Sequence, residues 1–223
     1  DFQKLDTVIR DHVPSGFNIH TQTKSTDISA LLDTLVCRKH IRKDQALCSL
    51  GSLGSGNHFI EVDQDEDQNL WLLIHSGSRH LGVEVCTSYL KQGEEQLKKQ
   101  GLHVPFEETW IEGGLFHDYL HDMQIATVFA SENRHRIART ICKKMGWKIE
   151  ESFESIHNYI SKDNILRKGA ISAEGICIIP INMQEGCLIG QGKKNAEWNF
   201  SAPHGAGRIV SRSKAREQFT VTE

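Results

Sequence analysis

The sequence predicts an α+β fold, and three observations carry that prediction. Apolar residues recur at three- and four-residue steps over long stretches; short apolar runs bounded by Gly, Asn and Asp fall between and after them; and the two patterns do not alternate regularly. Regular alternation would have pointed instead to a doubly wound parallel sheet.

Taken in chain order, Asp27 is placed to cap a helix through Leu31, Leu32, Leu35 and Val36. Phe59 to Val62 and Trp71 to Ile74 are expected strands, joined by the acidic turn Asp63 to Asn69, whose spacing is not that of a calcium loop. Glu84 to Lys99 has helical composition with a solvated Glu/Lys face, and Gly101 is its stop signal. The clearest helix is expected from Leu115 to Met145. There Leu120, Met123, Thr127, Ala130, Ile137, Ile141 and Met145 mark one face, Arg134, Arg136, Arg139, Lys143 and Lys144 another, and Gly146 follows. Ile176 to Ile179 and Cys187 to Ile189 are the remaining strands.

The 223 residues are 38% hydrophobic and 25% charged, which suits one or two globular domains. With no internal repeat or low-complexity segment and only 4 prolines, residues 1–223 read as one compact domain. No apolar run reaches the roughly 18 residues of a membrane span, and Asp1-Phe2-Gln3-Lys4 does not open a secretory signal. A membrane or secreted role is therefore not expected, and the location expected is cytoplasmic, or nuclear in a eukaryote. The net charge of -3 means that any nucleic acid must be met by local patches. The 6 cysteines include no Cys-x-x-Cys pair, which excludes a zinc ribbon or a redox dithiol of that pattern and reads as reduced, mostly buried thiols.

Four segments combine glycine with histidine. Gly51 to Glu61 places three glycines before Asn57 and His58 at the mouth of a strand, with Phe59 and Glu61 facing opposite to His58 and Ile60. Trp71 to Arg79 is an apolar strand ending in His75-Ser76-Gly77-Ser78-Arg79, and the intervening hairpin would bring His58 and His75 together. Its hydroxyls, backbone N–H groups and guanidinium suit phosphate oxygens. His157, in Ile156-His157-Asn158-Tyr159, reads by itself as a helix-start or packed histidine. In Asn199 to Arg208, Pro203 favours an extended Ala202, and Gly205, Ala206 and Gly207 can offer successive N–H groups to an anion beside His204. Lys193, Lys194, Arg208, Arg212, Lys214 and Arg216 surround this segment with Glu197 as the one acid, which favours phosphate binding over a merely solvated face. A P-loop and a His-Glu-x-x-His zinc motif are both missing.

Together these segments resemble the RtcB-type RNA-splicing ligases. The resemblance rests on Gly51 to Glu61, on His75 to Arg79 and on Ser201 to Arg208, with lesser matches at Ala130 to Arg134, Ile156 to Tyr159 and Arg167 to Ala170. It implies a GTP- and Mn²⁺-dependent enzyme that joins RNA ends bearing a 2′,3′-cyclic phosphate or 3′-phosphate to 5′-hydroxyl ends through a covalent histidine–guanylate. On the same ground His204 would be the nucleophile, and His58, His75 and His157 would be ligands to manganese, two ions in all. Asn57, His58, Phe59, Glu61, His157, Asn158, Pro180, Asn182, Met183, His204, Gly205, Ala206 and Gly207 would form the guanylate pocket, with Glu61 accepting from the guanine edge. Arg79, Arg208 and Arg212 would hold the RNA phosphate. The implied partners are RNA ends such as tRNA halves, and an archease activator.

The sequence departs from the family in three places. An Asp-x-Gly-Cys-Gly segment that completes the family's metal shell is not found, and Cys37 and Cys48 stand in unrelated contexts that suit structural roles. A C-terminal lysine segment is also not found, and Pro180-Ile181-Asn182-Met183-Gln184 replaces Pro-Gly-Ser-Met-Gly. The chain thus reads either as the catalytic portion of a ligase lacking parts at both ends, or as a catalytically impaired paralogue that binds RNA 3′-phosphate or guanine nucleotide.

Overall fold

The computed structural model describes residues 1–22 and 26–218, and contacts divide the chain into two compact units, residues 1–152 and 153–223.

The first unit is mainly helical. Helix α1 (Phe2–His12) is capped by the Asp1 carboxylate, which accepts the Gln3 and Lys4 N–H groups. Helices α2 (Thr26–Asp33), α3 (Lys43–Ser49) and α4 (Leu81–Lys99) pack on α5 (Gly114–Met145) around Leu32, Leu35, Leu47, Leu81, Val85 and Phe129. The antiparallel hairpin of β1 (Phe59–Gln64) and β2 (Leu70–His75) lays Ile60, Val62, Leu72 and Ile74 on a second cluster with Leu5, Val13, Ile137 and Ile141. Alternation along the strands turns Phe59, Glu61 and His75 to the other face.

Helix α5 matches its expected span, and Gly146 closes it in the left-handed conformation at φ 76°, donating to the Cys142 carbonyl. Helix α4 begins three residues before the expected Glu84. Helix α2 corrects the sequence reading: Asp27 lies in its first turn instead of capping it, and the helix stops at Asp33, short of Leu35 and Val36. The reason lies far along the chain. The buried Asp122 carboxylate of α5 accepts the Val36 and Cys37 N–H groups, both at 2.9 Å, and so competes with a continued helix.

The second unit is built from short antiparallel pairs: β3 (Tyr159–Ile160) with β4 (Leu166–Arg167), β5 (Ala170–Ser172) with β8 (Ser201–Pro203), and β6 (Ile176–Asn182) with β7 (Gly186–Gln191). Its small core is Ile171, Ala173 and Cys177, with Ile179 and Ala202 against it. The buried Arg167 guanidinium braces this unit by donating to the Ser201 hydroxyl, the Tyr159 hydroxyl and the Asn199 carbonyl at 2.9, 3.1 and 3.0 Å. Helix α6 (Arg212–Gln218) ends the described chain. Among the described residues no helix is long and apolar enough to cross a membrane.

Candidate functional site

In the first unit the hairpin register sets Phe59 opposite His75, with ring centroids 5.2 Å apart, while His58 and His75 stand at 6.0 Å. The expected pairing of these two imidazoles is therefore present. Glu61 lies two residues along the same strand face as Phe59, and burial, followed by the neighbouring Asp63 carboxylate, pushes its carboxyl above the usual range. Asn57 is exposed just before the strand.

The glycine-rich loop is shaped by what packs on it. At Gly54, φ is 92°, and a Cβ there would collide with the Arg79 guanidinium and the His58 ring, so only glycine lets both side chains approach the backbone. The Arg79 side chain is fixed by donation from Nε to the Ser52 hydroxyl at 2.9 Å and from Nη2 to the Gly16 carbonyl at 3.1 Å.

Sequence reasoning missed the residue that joins these loops. Asn133 on α5 is fully buried; its Oδ1 accepts the Gly51 N–H at 2.7 Å, and its Nδ2 donates to the Ser52 carbonyl, the Ser76 hydroxyl and the Gly77 carbonyl. Arg134 Nη1 donates to the Ser76 carbonyl at 3.0 Å. The hints in the sequence were an amide placed in line with apolar helix positions and the lesser family match at Ala130 to Arg134. The expected basic face is partly neutralised instead, since Arg136 and Arg139 both bind Glu132 at 2.8 Å.

In the second unit His157 lies in the loop before β3, not at a helix start, with its ring 4.8 Å from that of His204. His204 follows β8, and its Nδ1 is 2.5 Å from the Gly169 carbonyl oxygen. A carbonyl only accepts, so Nδ1 carries a proton in this bond and Nε2 is the ring nitrogen it leaves unengaged. Asn158, held at φ 65°, receives the Gly169 N–H on its side-chain oxygen at 2.8 Å, so both backbone groups of Gly169 are engaged by site residues.

The glycine segment after His204 differs from expectation in one respect. The Ala206 N–H donates to the Pro180 carbonyl at 3.0 Å, beside the register shift between Pro180 and Asn182, so it is not open to an anion. Asn182 and Met183 lie at the β6–β7 turn, where Asn182 Oδ1 accepts from the Gln184 and Glu185 N–H groups and Met183 is exposed. Arg208 is exposed in the loop after Gly207. Arg212 opens α6, and its side chain lies outside the described residues.

Neutral imidazole suits manganese or a similar divalent ion, and His58 with His75 supplies two such donors in one place. The donors fit in kind but not in number: among the described residues no group of three or more His, Cys, Asp or Glu gathers as metal ligands would.

Comparison with known proteins gives a consistent result. The family model described as RtcB, tRNA-splicing ligase RtcB, matches residues 3–223. The RNA-splicing ligase RtcB of Escherichia coli (strain K12) is 33% identical over 198 residues, covering 78% of this chain and 48% of that protein. The tRNA-splicing ligase RtcB of Methanococcus maripaludis is 31% identical over 243 residues, covering 81% of this chain and 49% of that protein. The chain thus spans about half the length of the curated relatives it matches. With the family model running through the glycine-rich loop, the hairpin and the His204 segment alike, the chain belongs to the RtcB family of tRNA-splicing ligases.

Proposed function

We propose that this chain carries the guanylate-transfer machinery of an RNA ligase that joins 2′,3′-cyclic phosphate or 3′-phosphate ends to 5′-hydroxyl ends with GTP. The observation that supports it most directly is the hydrogen bond from His204 Nδ1 to the Gly169 carbonyl, which orients the ring and leaves Nε2 as the nitrogen outside that bond.

In this reading Nε2 attacks the α-phosphorus of GTP, a P–N bond forms, and the bond to the β-phosphate oxygen breaks to release pyrophosphate. An oxygen of the RNA 3′-phosphate then attacks the same phosphorus and breaks the P–N bond. Finally the 5′-hydroxyl oxygen attacks the RNA phosphate, loses its proton and displaces GMP.

Asn158 orders Gly169 and through it His204; Asn57, Phe59, Glu61, Pro180, Asn182, Met183, Gly205, Ala206 and Gly207 line the guanylate, and the Glu61 carboxylate accepts from guanine N–H groups. Arg79, Arg208 and Arg212 hold the RNA phosphate. On the family resemblance His58, His75 and His157 are the residues that would hold manganese, which when bound would offset phosphate charge. tRNA halves are the RNA class that the names of relatives support, and an archease is the activator the family resemblance implies.

The test is incubation of the chain with Mn²⁺ and α-labelled GTP, followed by a denaturing gel, with His204→Ala alongside. An acid-labile label on the wild type alone supports the reading. A label that persists in His204→Ala overturns it, and a chain that takes no label but binds 3′-phosphate RNA is the impaired paralogue instead.

A further inference from the structure

Beside the glycine-rich loop of the first unit lies a cleft of about 400 Å³ lined by Gly16, Phe17, Arg42, His58, Arg79 and His80, among others. Phe17, Arg42 and His80 take no part in the steps above. Phe17 is 98% exposed, although the turn that carries it is firmly tied. Leu53 N–H donates to the Pro14 carbonyl at 2.8 Å, Gly16 N–H to the Gly54 carbonyl at 2.8 Å, and Asn18 N–H to the Ser15 carbonyl at 3.1 Å. The Gly16 carbonyl next to Phe17 in turn receives Arg79 Nη2. An apolar ring is thus held out in water on an ordered turn, one residue from the group that anchors a fixed guanidinium, and it packs into neither core cluster of its unit.

The charges of the cleft narrow the ligand. Arg42 is neutralised by Glu84, with Nε to Oε1 at 2.5 Å, whereas among the described residues no carboxylate forms an ion pair with Arg79. A fixed, uncompensated guanidinium beside an outward aromatic face is the combination by which proteins hold single-stranded nucleic acid, the cation taking a phosphate and the ring taking a base. An acidic peptide would use the cation but not the flat ring. We propose that this cleft is a strand subsite, in which one nucleotide of the RNA stacks its base on Phe17 and rests its phosphate against Arg79, with Arg42 and His80 bordering its path.

The ligase reading supplies the choice of RNA as ligand, and the test separates the two. The full chain is titrated, without GTP or metal, into a fluorescent single-stranded oligoribonucleotide ending in a 3′-phosphate, followed by anisotropy. Phe17→Ala should weaken binding about ten-fold, Phe17→Trp should retain it and Phe17→Leu should not, because stacking needs a ring. A set of oligoribonucleotides with one abasic position each should contain one that costs the wild type about ten-fold and costs Phe17→Ala nothing further. Equal binding by wild type and Phe17→Ala overturns the proposal, as does a loss that no abasic position removes. Unchanged thermal melting of the variants guards against misfolding. A wild type that shows the abasic pattern but takes no guanylate label leaves the subsite standing and the ligase reading fallen. A labelled chain indifferent to Phe17 gives the reverse.

Discussion

The His204 imidazole donates to the Gly169 carbonyl, and a Cβ added at Gly169 would lie 3.2 Å from His204 Cε1. Gly169 also holds φ at 66°, a conformation that L side chains adopt at a cost.

Gly169→Ala should therefore strain the turn by about 1–2 kcal/mol and displace the imidazole by a fraction of an ångström. Misplacement of a reacting group by about 1 Å can cost roughly a hundred-fold in rate. The expected result is a guanylation rate at least about ten-fold lower with a modest loss of melting temperature, read by rapid-quench labelling and by circular dichroism.

Arg167 should be intolerant of lysine. Its fork serves the Ser201 and Tyr159 hydroxyls and the Asn199 carbonyl at once, and a single ammonium cannot span all three. Arg167→Lys should cost about 2 kcal/mol and Arg167→Ala about 3 kcal/mol or more. Urea melts of the two variants check this, and equal stability of wild type and Arg167→Lys would refute it.

Asn133 links the loops that carry His58 and Arg79, so its loss should reach stability and binding together. Asn133→Ala leaves the Gly51 N–H and the Ser52 and Gly77 carbonyls without this partner, at an expected cost of about 3 kcal/mol. Asn133→Asp keeps the acceptor for Gly51 but brings a buried charge toward two carbonyls, and should be at least as destabilising. Denaturant melts give the first quantity. A weakened Mn²⁺ affinity, read by electron paramagnetic resonance, gives the second.

Acid sensitivity should trace to Asp122. Burial by itself would raise its pKa, but hydrogen bonds from the Cys37 N–H, His121, the Val36 N–H and Tyr89 outweigh burial and hold the carboxyl below its usual range. The unfolded chain takes up the proton first as pH falls. Asp122 therefore contributes its full stability above the unfolded carboxylate pKa and loses it as pH falls through the lower folded value. Asp122→Asn should lower stability near pH 7 and flatten the acid slope, read as melting temperature against pH. The same carboxylate, acting after burial, helps push the Cys37 thiol up to about 12, so Cys37 should resist alkylation in the folded protein and react in Asp122→Asn only as that variant opens.

What the sequence disclosed follows from what is periodic or local. The β1–β2 hairpin was legible as two short apolar runs bounded by Gly, Asn and Asp, and α5 because its apolar residues repeat at three to four residues and Gly146 marks the stop. The proximity of His58 to His75 followed from the hairpin alone. Asp122 and Asn133 were not legible, since an isolated polar residue on a long helix ordinarily reads as exposed, and their partners lie 86 and 82 residues away. The overrun of α2 is the same omission seen from the other side. Strands β3, β4, β5 and β8 are 2 or 3 residues long, too short for any alternation to register. His157 read as a packed histidine because its neighbour His204 comes from a distant segment.

Asp122 and Asn133 stand eleven positions apart on α5, about three helical turns or roughly 16 Å, with the fully buried Phe129 between them. Two polar pegs on one rod do what a single peg cannot. A slide of α5 by one turn, about 5.4 Å, would withdraw the carboxylate from the Val36–Cys37 turn and the carboxamide from the glycine loops in the same motion, breaking both sets of hydrogen bonds. The axial setting of α5 is therefore pinned at two points. The loops that present His58 and Arg79 inherit that indexing, and their spacing is fixed by a ruler that runs through the core.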